Sequence, residues 1–296
     1  MSIDPERIRR VLATVRKVPD DYRRFGSGVD IAEKRYGIAG ELLGELISQG
    51  LPLRGRGDGA CFDPLDLANV SLHLGLPSIQ RLAMRSWART LRLAEGREET
   101  EATVRVLPLT ATAADSGPPL AIIHVPLSKR WVEGQGRIRE LLEELARFEF
   151  FMLPEGCRWD LDFIVRYGIC ECGGASKLLL ERARQNNLRA RQCFGLLVAE
   201  PYSTGHYWTE FRLDDAWVAF DPLLLKLLHM TTHLTPQAWP AHRSTNIAVH
   251  RYCVIDGYDA VGAPQLGVYE DEARSGNSLT IMEGQSLTVS LPTVVR

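Results

Sequence analysis

The residues best suited to chemistry in this sequence are a cysteine, a histidine and an aspartate between positions 172 and 221. Cys172 is followed by Gly173, Gly174 and Ala175, and then by a leucine-rich run that predicts a helix. A helix N-terminus carries unpaired N–H groups and a partial positive charge, so it stabilises an anion such as a thiolate. The same N–H groups can receive the negative oxygen of a tetrahedral intermediate. The pattern therefore predicts a nucleophilic cysteine.

A base and a carboxylate that could orient it lie downstream of the cysteine. Residues 205–213 predict a strand that begins at His206, residues 214–215 predict the turn, and residues 217–221 predict the returning strand, which ends at Asp221. In an antiparallel hairpin of this length the two side chains lie close to opposite each other. The carboxylate can then hold the imidazole tautomer that leaves one nitrogen for the cysteine.

These residues, taken with their neighbours at 166–222, resemble the signature of the transglutaminase-like superfamily. The residues that carry the resemblance, in the family's order, are Cys172, Ser176, Leu178, Arg191, Gly195, His206, Trp208, Trp217, Asp221 and Pro222. The resemblance implies an α+β fold with a papain-like core, in which a helix carrying the cysteine packs on an antiparallel sheet carrying the histidine and the aspartate. It also implies that Cys172, His206 and Asp221 are the catalytic residues, with no cofactor and no metal.

Departures from the signature leave two choices at the site. Cys170 follows Gly168, as the family's cysteine often follows a glycine, but only Cys172 keeps the spacing to the downstream signature residues. The oxyanion site needs a donor besides the N–H of the cysteine. Family members use an upstream side chain, and Trp131 and Trp159 are the candidates here.

Other conspicuous residues are expected to be structural. Trp208 and Trp217 are expected in the core rather than as a substrate platform, and Arg191 as an ion-pair or hydrogen-bond partner. Cys193 and Cys253 are expected to be packing residues. A metal site is disfavoured because the cysteines lack zinc spacing and no carboxylate accompanies the histidines, which are His229, His233, His242 and His250.

The N-terminal third predicts a helical module over residues 1–95. Apolar spacing predicts helices near 6–17, 30–37, 42–49, 64–74 and 79–93. The helix–turn–helix followed by a glycine-rich turn at 54–59 weakly resembles an excisionase-type winged helix, which would imply DNA contact. The alternative is a helical module packed on the enzyme or docking a protein. Residues 1–95 hold 15 Lys and Arg against 12 Asp and Glu, and this charge of +3 disfavours DNA.

Residues 96–296 are predicted to form the catalytic domain, after a charged linker at 94–101. Strands are predicted at 103–109 and 120–125, an amphipathic helix at 137–149, and β-structure from 252 to 295. The formal charge of −2, the start without a secretory pattern and the lack of a membrane-length apolar run favour a cytoplasmic protein with reduced thiols.

The expected function is thiol acyl transfer. The acyl donor would be a peptide amide or an acyl thioester, including one on a carrier protein, and an amine would accept the acyl group to form an amide bond. Two alternatives remain at this point. Water could be the acceptor, which gives a cysteine protease or amidase. The fold could also be a non-catalytic binding module whose N-terminal helices contact DNA or a protein.

Overall fold

The computed structural model describes residues 3–93, 100–106, 121–127, 131–199, 203–259, 264–266 and 287–290. Its α-helices are α1 Pro5–Val15, α2 Val29–Tyr36, α3 Gly40–Ser48, α4 Pro64–Leu74, α5 Ile79–Leu93, α6 Gly136–Leu145, α7 Glu155–Arg158, α8 Leu161–Tyr167, α9 Cys172–Gln185 and α10 Pro222–Thr231. Its strands are β1 Thr100–Val106, β2 Ala121–Leu127, β3 Glu149–Phe150, β4 Ile169–Cys170, β5 Ala190–Leu197, β6 Thr204–Leu213, β7 Ala216–Phe220, β8 Val249–Tyr258, β9 Pro264–Leu266 and β10 Leu287–Ser290.

The central element is an antiparallel sheet with the strand order β7-β6-β5-β8-β9. Helix α9 packs on β5 and β6, and helices α6 and α10 pack beside it. Apolar residues from α6 and α9 form one buried cluster with Phe211, Val218 and Phe220 of the sheet. The fold is therefore α+β, with the cysteine-bearing helix on an antiparallel sheet as predicted.

A second sheet is formed by strands distant in sequence. Strand β1 pairs antiparallel with β2 and with β10, which gives the order β10-β1-β2. The two strands predicted near 103–109 and 120–125 are confirmed with boundaries shifted by a few residues. The predicted turn between them, most of the linker at 94–101 and much of the tail lie outside the described residues.

The N-terminal helices begin and end where the sequence predicts. Asp4 and Asp63 cap α1 and α4 by accepting backbone N–H bonds, and a proline follows each of them. Helix α2 ends at Gly37, whose φ of +67° and whose approach to the carbonyl of Pro77 leave no room for a Cβ. Each predicted N-terminal helix is present, and backbone bridges join Ser27 to Phe62 and Arg54 to Cys61.

The N-terminal helices share their core with the segment that precedes α9. One buried cluster joins α1, α2, α3 and α4 to Phe151, Leu153, Cys157 and Ile169. A second joins α5 to α10 and the sheet. The charges inside this region are paired, since buried Arg23 donates to Asp66 at 2.7 Å. These helices are therefore packed on the core, whereas the winged-helix resemblance and its DNA contact stay predictions.

Side chains from α4 hold the backbone of the β3 segment. The Asn69 amide donates to the carbonyl of Met152 at 2.9 Å, and its oxygen accepts the Met152 N–H at 2.8 Å. His73 Nε2 lies 2.8 Å from the carbonyl of Phe150, and the His73 ring stacks on Phe151. Helix α4 therefore fixes the position of residues 150–152, which lie beside the cavity described below.

Candidate active site

Cys172 is the first residue of helix α9, as predicted. Glu171 occupies the N-cap position, and the Cys172 side chain is half-buried. The two glycines that follow leave no space for a side chain: a Cβ at Gly173 would lie 2.5 Å from the Trp159 ring, and one at Gly174 would lie 2.5 Å from the Arg158 carbonyl. These glycines let residues 158–159 lie directly against the first turn of α9, where the backbone N–H groups of a helix have no intrahelical acceptor.

His206 and Asp221 form a buried pair beside this helix start. His206 lies on β6, and its Nε2 is 2.6 Å from Asp221 Oδ2. Asp221 follows β7 and caps α10, because its Oδ1 accepts the Leu224 N–H at 2.8 Å. One oxygen of Asp221 therefore accepts a backbone N–H of α10, and the other contacts the imidazole of His206.

The hairpin places these two side chains diagonally rather than directly opposite. Thr209 pairs with Phe220, so Asp221 lies beyond the last paired residue of β7 and two positions short of facing His206. The predicted strand that begins at the histidine also begins earlier, at Thr204. The helix cap explains the difference, because it turns the aspartate out of the strand and towards the ring.

Electrostatic interactions connect His206 with both neighbours. Burial acts to lower the pKa of His206, but the charge of Cys172, hydrogen bonds to Asp221 and Cys172, and the charge of Asp221 outweigh it and raise the pKa to about 10. The imidazole thus holds its proton when the neighbouring sulfur and carboxylate are charged. Since Nε2 faces Asp221, Nδ1 is the nitrogen left for the sulfur. The structure therefore brings Cys172, His206 and Asp221 together at the start of α9.

Cys170, the alternative nucleophile, lies in a different environment. It belongs to β4, is fully buried and is part of the core cluster between α6 and α9. Burial raises the pKa of its thiol far above the usual range, so the thiol stays protonated and shielded. Cys172, by contrast, opens on a cavity. The geometry favours Cys172 over Cys170.

A cavity of about 500 Å³ reaches Cys172, His206 and Asp221. Two ionisable side chains in its lining, Arg158 and Glu171, form an ion pair. Burial raises the pKa of Glu171 to about 7, against the charge of Arg158. Apolar side chains of α5, α10 and residues 150–152 also line the cavity. Apolar spacing predicts α5 as a helix, but nothing in residues 79–93 indicates its place beside the cysteine.

The expected second oxyanion donors are wrong. Trp131 is 41% exposed and lies under the guanidinium of Arg243. Trp159 packs its ring on the start of α9, but its Nε1 donates to Glu155 at 2.7 Å. Neither indole lines the cavity. Tyr207 does line it, and the charge of Cys172 adds to burial in raising the pKa of its hydroxyl to about 12. Sequence reasoning missed this neutral hydroxyl.

Several structural expectations are confirmed. Arg191 donates to Glu210 at 2.8 Å, and Arg251 joins the same carboxylate at 2.6 Å. Trp208 is 1% exposed and donates to Glu210 as well. Trp217 was expected in the core, but it is half-buried under Arg191; it does not line the cavity. The charged side chains of Arg191, Glu210 and Arg251 therefore stabilise the sheet and do not line the cavity.

A buried polar network that the sequence did not suggest attaches α9 to the sheet. Gln192 of β5 donates to Ser176 Oγ at 2.6 Å and to the carbonyl of Gly173 at 3.2 Å. Tyr258 of β8 donates in turn to Gln192. Thr209 donates to the carbonyl of Ser176 at 3.0 Å. The first turn of α9 is therefore tied to β5 and β6, the latter being the strand that carries His206.

Among the described residues, no group of three or more His, Cys, Asp and Glu side chains is arranged to hold a metal ion. His242 lies 3.2 Å from Glu143, and His250 lies against the ring of Tyr252. In the same residues, no helix has both the length and the apolar character needed to cross a membrane.

Comparison with known proteins supports the resemblance seen in the sequence. Residues 157–222 match the family described as the transglutaminase-like superfamily. This segment contains Cys172, His206 and Asp221, together with Trp159 and both glycines of the helix start. No curated protein matches the chain. The predicted superfamily is therefore confirmed over this segment, and it is a superfamily of cysteine-based enzymes.

Proposed function

We propose that this protein is a cysteine acyltransferase that forms an acyl thioester on Cys172 and passes the acyl group to an amine. The observation that carries the proposal is the buried His206–Asp221 pair beside the half-buried sulfur of Cys172 at the start of α9. His206 lies 2.6 Å from Asp221, and its pKa is raised by the charge of Cys172. A thiolate and an imidazolium side by side are the resting state that thiol acyl transfer needs.

In the first half-reaction the thiolate of Cys172 attacks the carbonyl carbon of the donor. A carbon–sulfur bond forms, and the carbonyl electron pair moves to oxygen. The N–H groups of the first turn of α9 stabilise this oxyanion. As the tetrahedral species collapses, the bond to the leaving group breaks, and His206 gives its proton to that group. The acyl group then remains on the sulfur as a thioester.

In the second half-reaction an amine attacks the thioester carbon. His206, now neutral, takes the proton that the amine loses, and Asp221 stabilises the imidazolium that forms again. The carbon–sulfur bond breaks, so the thiolate is restored and an amide is released. Water in place of the amine would give a carboxylic acid, which is the reaction of a protease or amidase.

The lining of the cavity supports an amine rather than water as the acceptor. His206 and Asp221 are 7% and 6% exposed, and most of the wall beyond them is apolar. Ordered water has few polar partners in such a site, so the thioester is protected from hydrolysis until the amine binds. The donor is a peptide amide or an acyl thioester, including one on a carrier protein.

The six cysteines support a cytoplasmic location, which we propose together with this reaction. All six are free, and four of them are buried. Proteins of oxidising compartments tend to pair their thiols, whereas reduced thiols are typical of the cytosol. A nucleophilic cysteine also requires a compartment in which it is not oxidised.

The test is mass spectrometry of the purified protein after incubation with peptide-amide donors and with acyl-thioester donors. We expect an acyl adduct on Cys172 with one donor class, and loss of that adduct as an amide when an amine is added. Release chiefly as the free acid in the presence of amine would favour hydrolysis. No adduct on Cys172 with either class would overturn the acyl-enzyme proposal.

A further inference from the structure

The cavity beside Cys172 has mostly apolar lining residues and a few charged ones. Arg158 and Glu171 line it and pair with each other. Met84 and Trp87 of α5 and Leu227 of α10 line it as well. A volume of about 500 Å³ with mostly apolar walls and a few polar groups is typical of sites that bind small molecules or their apolar parts.

Helix α5 presents one face to this cavity. Gln80, Ala83, Met84 and Trp87 recur at the spacing of a helical stripe, and all four line the cavity. Leu82 points elsewhere, since it is 46% exposed and does not line the cavity. The N-terminal helices therefore contribute a wall to the active-site cavity, a role that their sequence alone did not indicate.

The other walls are fixed, so the cavity is present before a ligand arrives. Phe150 and Met152 line it, and their backbone is held by His73 and Asn69 of α4. Leu224 lines it from α10, where its N–H is bound by Asp221. Preformed apolar walls next to a reacting atom select the group attached to that atom.

We propose that this cavity binds the acyl group of the donor, that the acyl group has an apolar aliphatic or aromatic body, and that α5 is the element that selects its length. The inference rests on the proposed function, because it places the acyl carbon at the sulfur of Cys172. The apolar body extends from that carbon between α5 and α10.

The experiment uses a series of p-nitrophenyl esters with acetyl, butyryl, hexanoyl and decanoyl groups. Thiolate attack forms the thioester on Cys172 and releases p-nitrophenolate, which is measured by its colour. Rates are divided by those of free cysteine with the same esters, which removes intrinsic reactivity. Burial of one methylene corresponds to about a fourfold gain in rate. We expect the corrected hexanoyl rate to exceed the acetyl rate by at least about tenfold.

Two variants on the same helix test the role of α5. Ala83→Phe fills the cavity and should lower the hexanoyl-to-acetyl ratio by about fivefold or more. Leu82→Phe changes the neighbouring exposed position and should keep the wild-type ratio. The ratio within one protein preparation does not depend on the fraction that is folded, and circular dichroism checks that each variant is folded.

The outcomes separate this inference from the proposed function. Adducts on Cys172 whose corrected rates do not rise from acetyl to hexanoyl would overturn the acyl cavity while leaving the acyl-enzyme intact. Absence of adducts with every ester would overturn both. If Ala83→Phe and Leu82→Phe change the hexanoyl-to-acetyl ratio equally, the role of α5 is contradicted. If Ala83→Phe is unfolded, the wild-type ester series alone decides whether the cavity binds the acyl group.

Discussion

The two sides of the active-site cavity are built on different physical principles. On one side, Cys172, His206 and Asp221 are positioned by helix starts and hydrogen bonds. On the other, α5 offers apolar side chains that are held by packing. Hydrogen bonds fix atoms to within a few tenths of an ångström, as a reacting centre needs. Apolar packing fixes shape and volume, which is enough to select a substrate.

The largest expected effect comes from removing the sulfur nucleophile. Cys172→Ser should lower acylation by at least about 10⁴-fold, since a serine hydroxyl is a far weaker nucleophile beside this imidazole. The measurement is the rate of p-nitrophenolate release, with Cys61→Ala as the control because Cys61 does not line the cavity. If Cys172→Ser retained more than a tenth of the wild-type rate, Cys172 would not be the nucleophile.

The next effect tests the carboxylate without removing the helix cap. Asp221→Asn keeps a side chain that caps α10 well but removes the charge that faces His206. We expect acylation to fall by about 10²- to 10⁴-fold, with a small change in melting temperature. A large drop in melting temperature with unchanged acylation would mean that Asp221 serves the fold alone.

The same pair predicts how His206 titrates. Because the pKa of His206 is raised to about 10, its proton, and the stability that this proton provides, are present at and below neutral pH and are lost as pH rises through about 10. The ring protons of His206, followed by NMR, should therefore show no titration between pH 6 and pH 8.5. In Asp221→Asn, which removes one of the charges that raise this pKa, the titration should move to lower pH. Equal titration curves for the two proteins would contradict the charge pairing.

A core change in α5 tests the independence of the two sides. Leu91 is buried in the cluster between α5 and α10 but does not line the cavity. Leu91→Ala should lower the free energy of unfolding by about 2 to 4 kcal/mol, measured by urea denaturation. Among the folded molecules, alkylation of Cys172 by iodoacetamide should stay within about threefold of wild type. A tenfold loss would show that α5 also positions the chemical groups.

The smallest effect is a change in stability at Glu171, which lines the cavity. Burial raises its pKa from 4.5 to about 7, so its contribution to folding is present below pH 4.5 and is lost as pH rises to about 7. Glu171→Gln, which is neutral at every pH, should therefore gain stability relative to wild type between pH 5 and pH 8, by about 1 to 2 kcal/mol. Melting temperatures measured across this range check it, and a difference independent of pH would contradict it.

Local patterns in the sequence were enough to predict the chemical side. The small residues after Cys172 and the hairpin between His206 and Asp221 are each encoded within a short stretch, so spacing predicts them. Helix α5 was predicted with its observed bounds, because its apolar residues repeat at helical spacing. The diagonal placement of Asp221 was not predictable, since a helix cap rather than strand pairing determines it.

The apolar side depends on contacts between distant parts of the chain. Nothing in residues 79–93 indicates that one face of the helix meets the cysteine site, because an amphipathic stripe looks the same against any core. The error over Trp131 and Trp159 has a related cause. An indole N–H has one hydrogen bond to give, and the acceptor that takes it, Glu155 for Trp159, becomes visible only after folding.

The contact between Asn69 and Met152 has a consequence for how this protein could change over evolutionary time. A single carboxamide on α4 takes the place of an adjacent strand for the backbone that borders the cavity. A gene that lost the segment encoding α4 and α5, or exchanged it for an unrelated one, would encode a nucleophile whose neighbouring cavity lacks one wall. The N-terminal helices and the segment that contains Cys172 are therefore expected to be inherited as a unit.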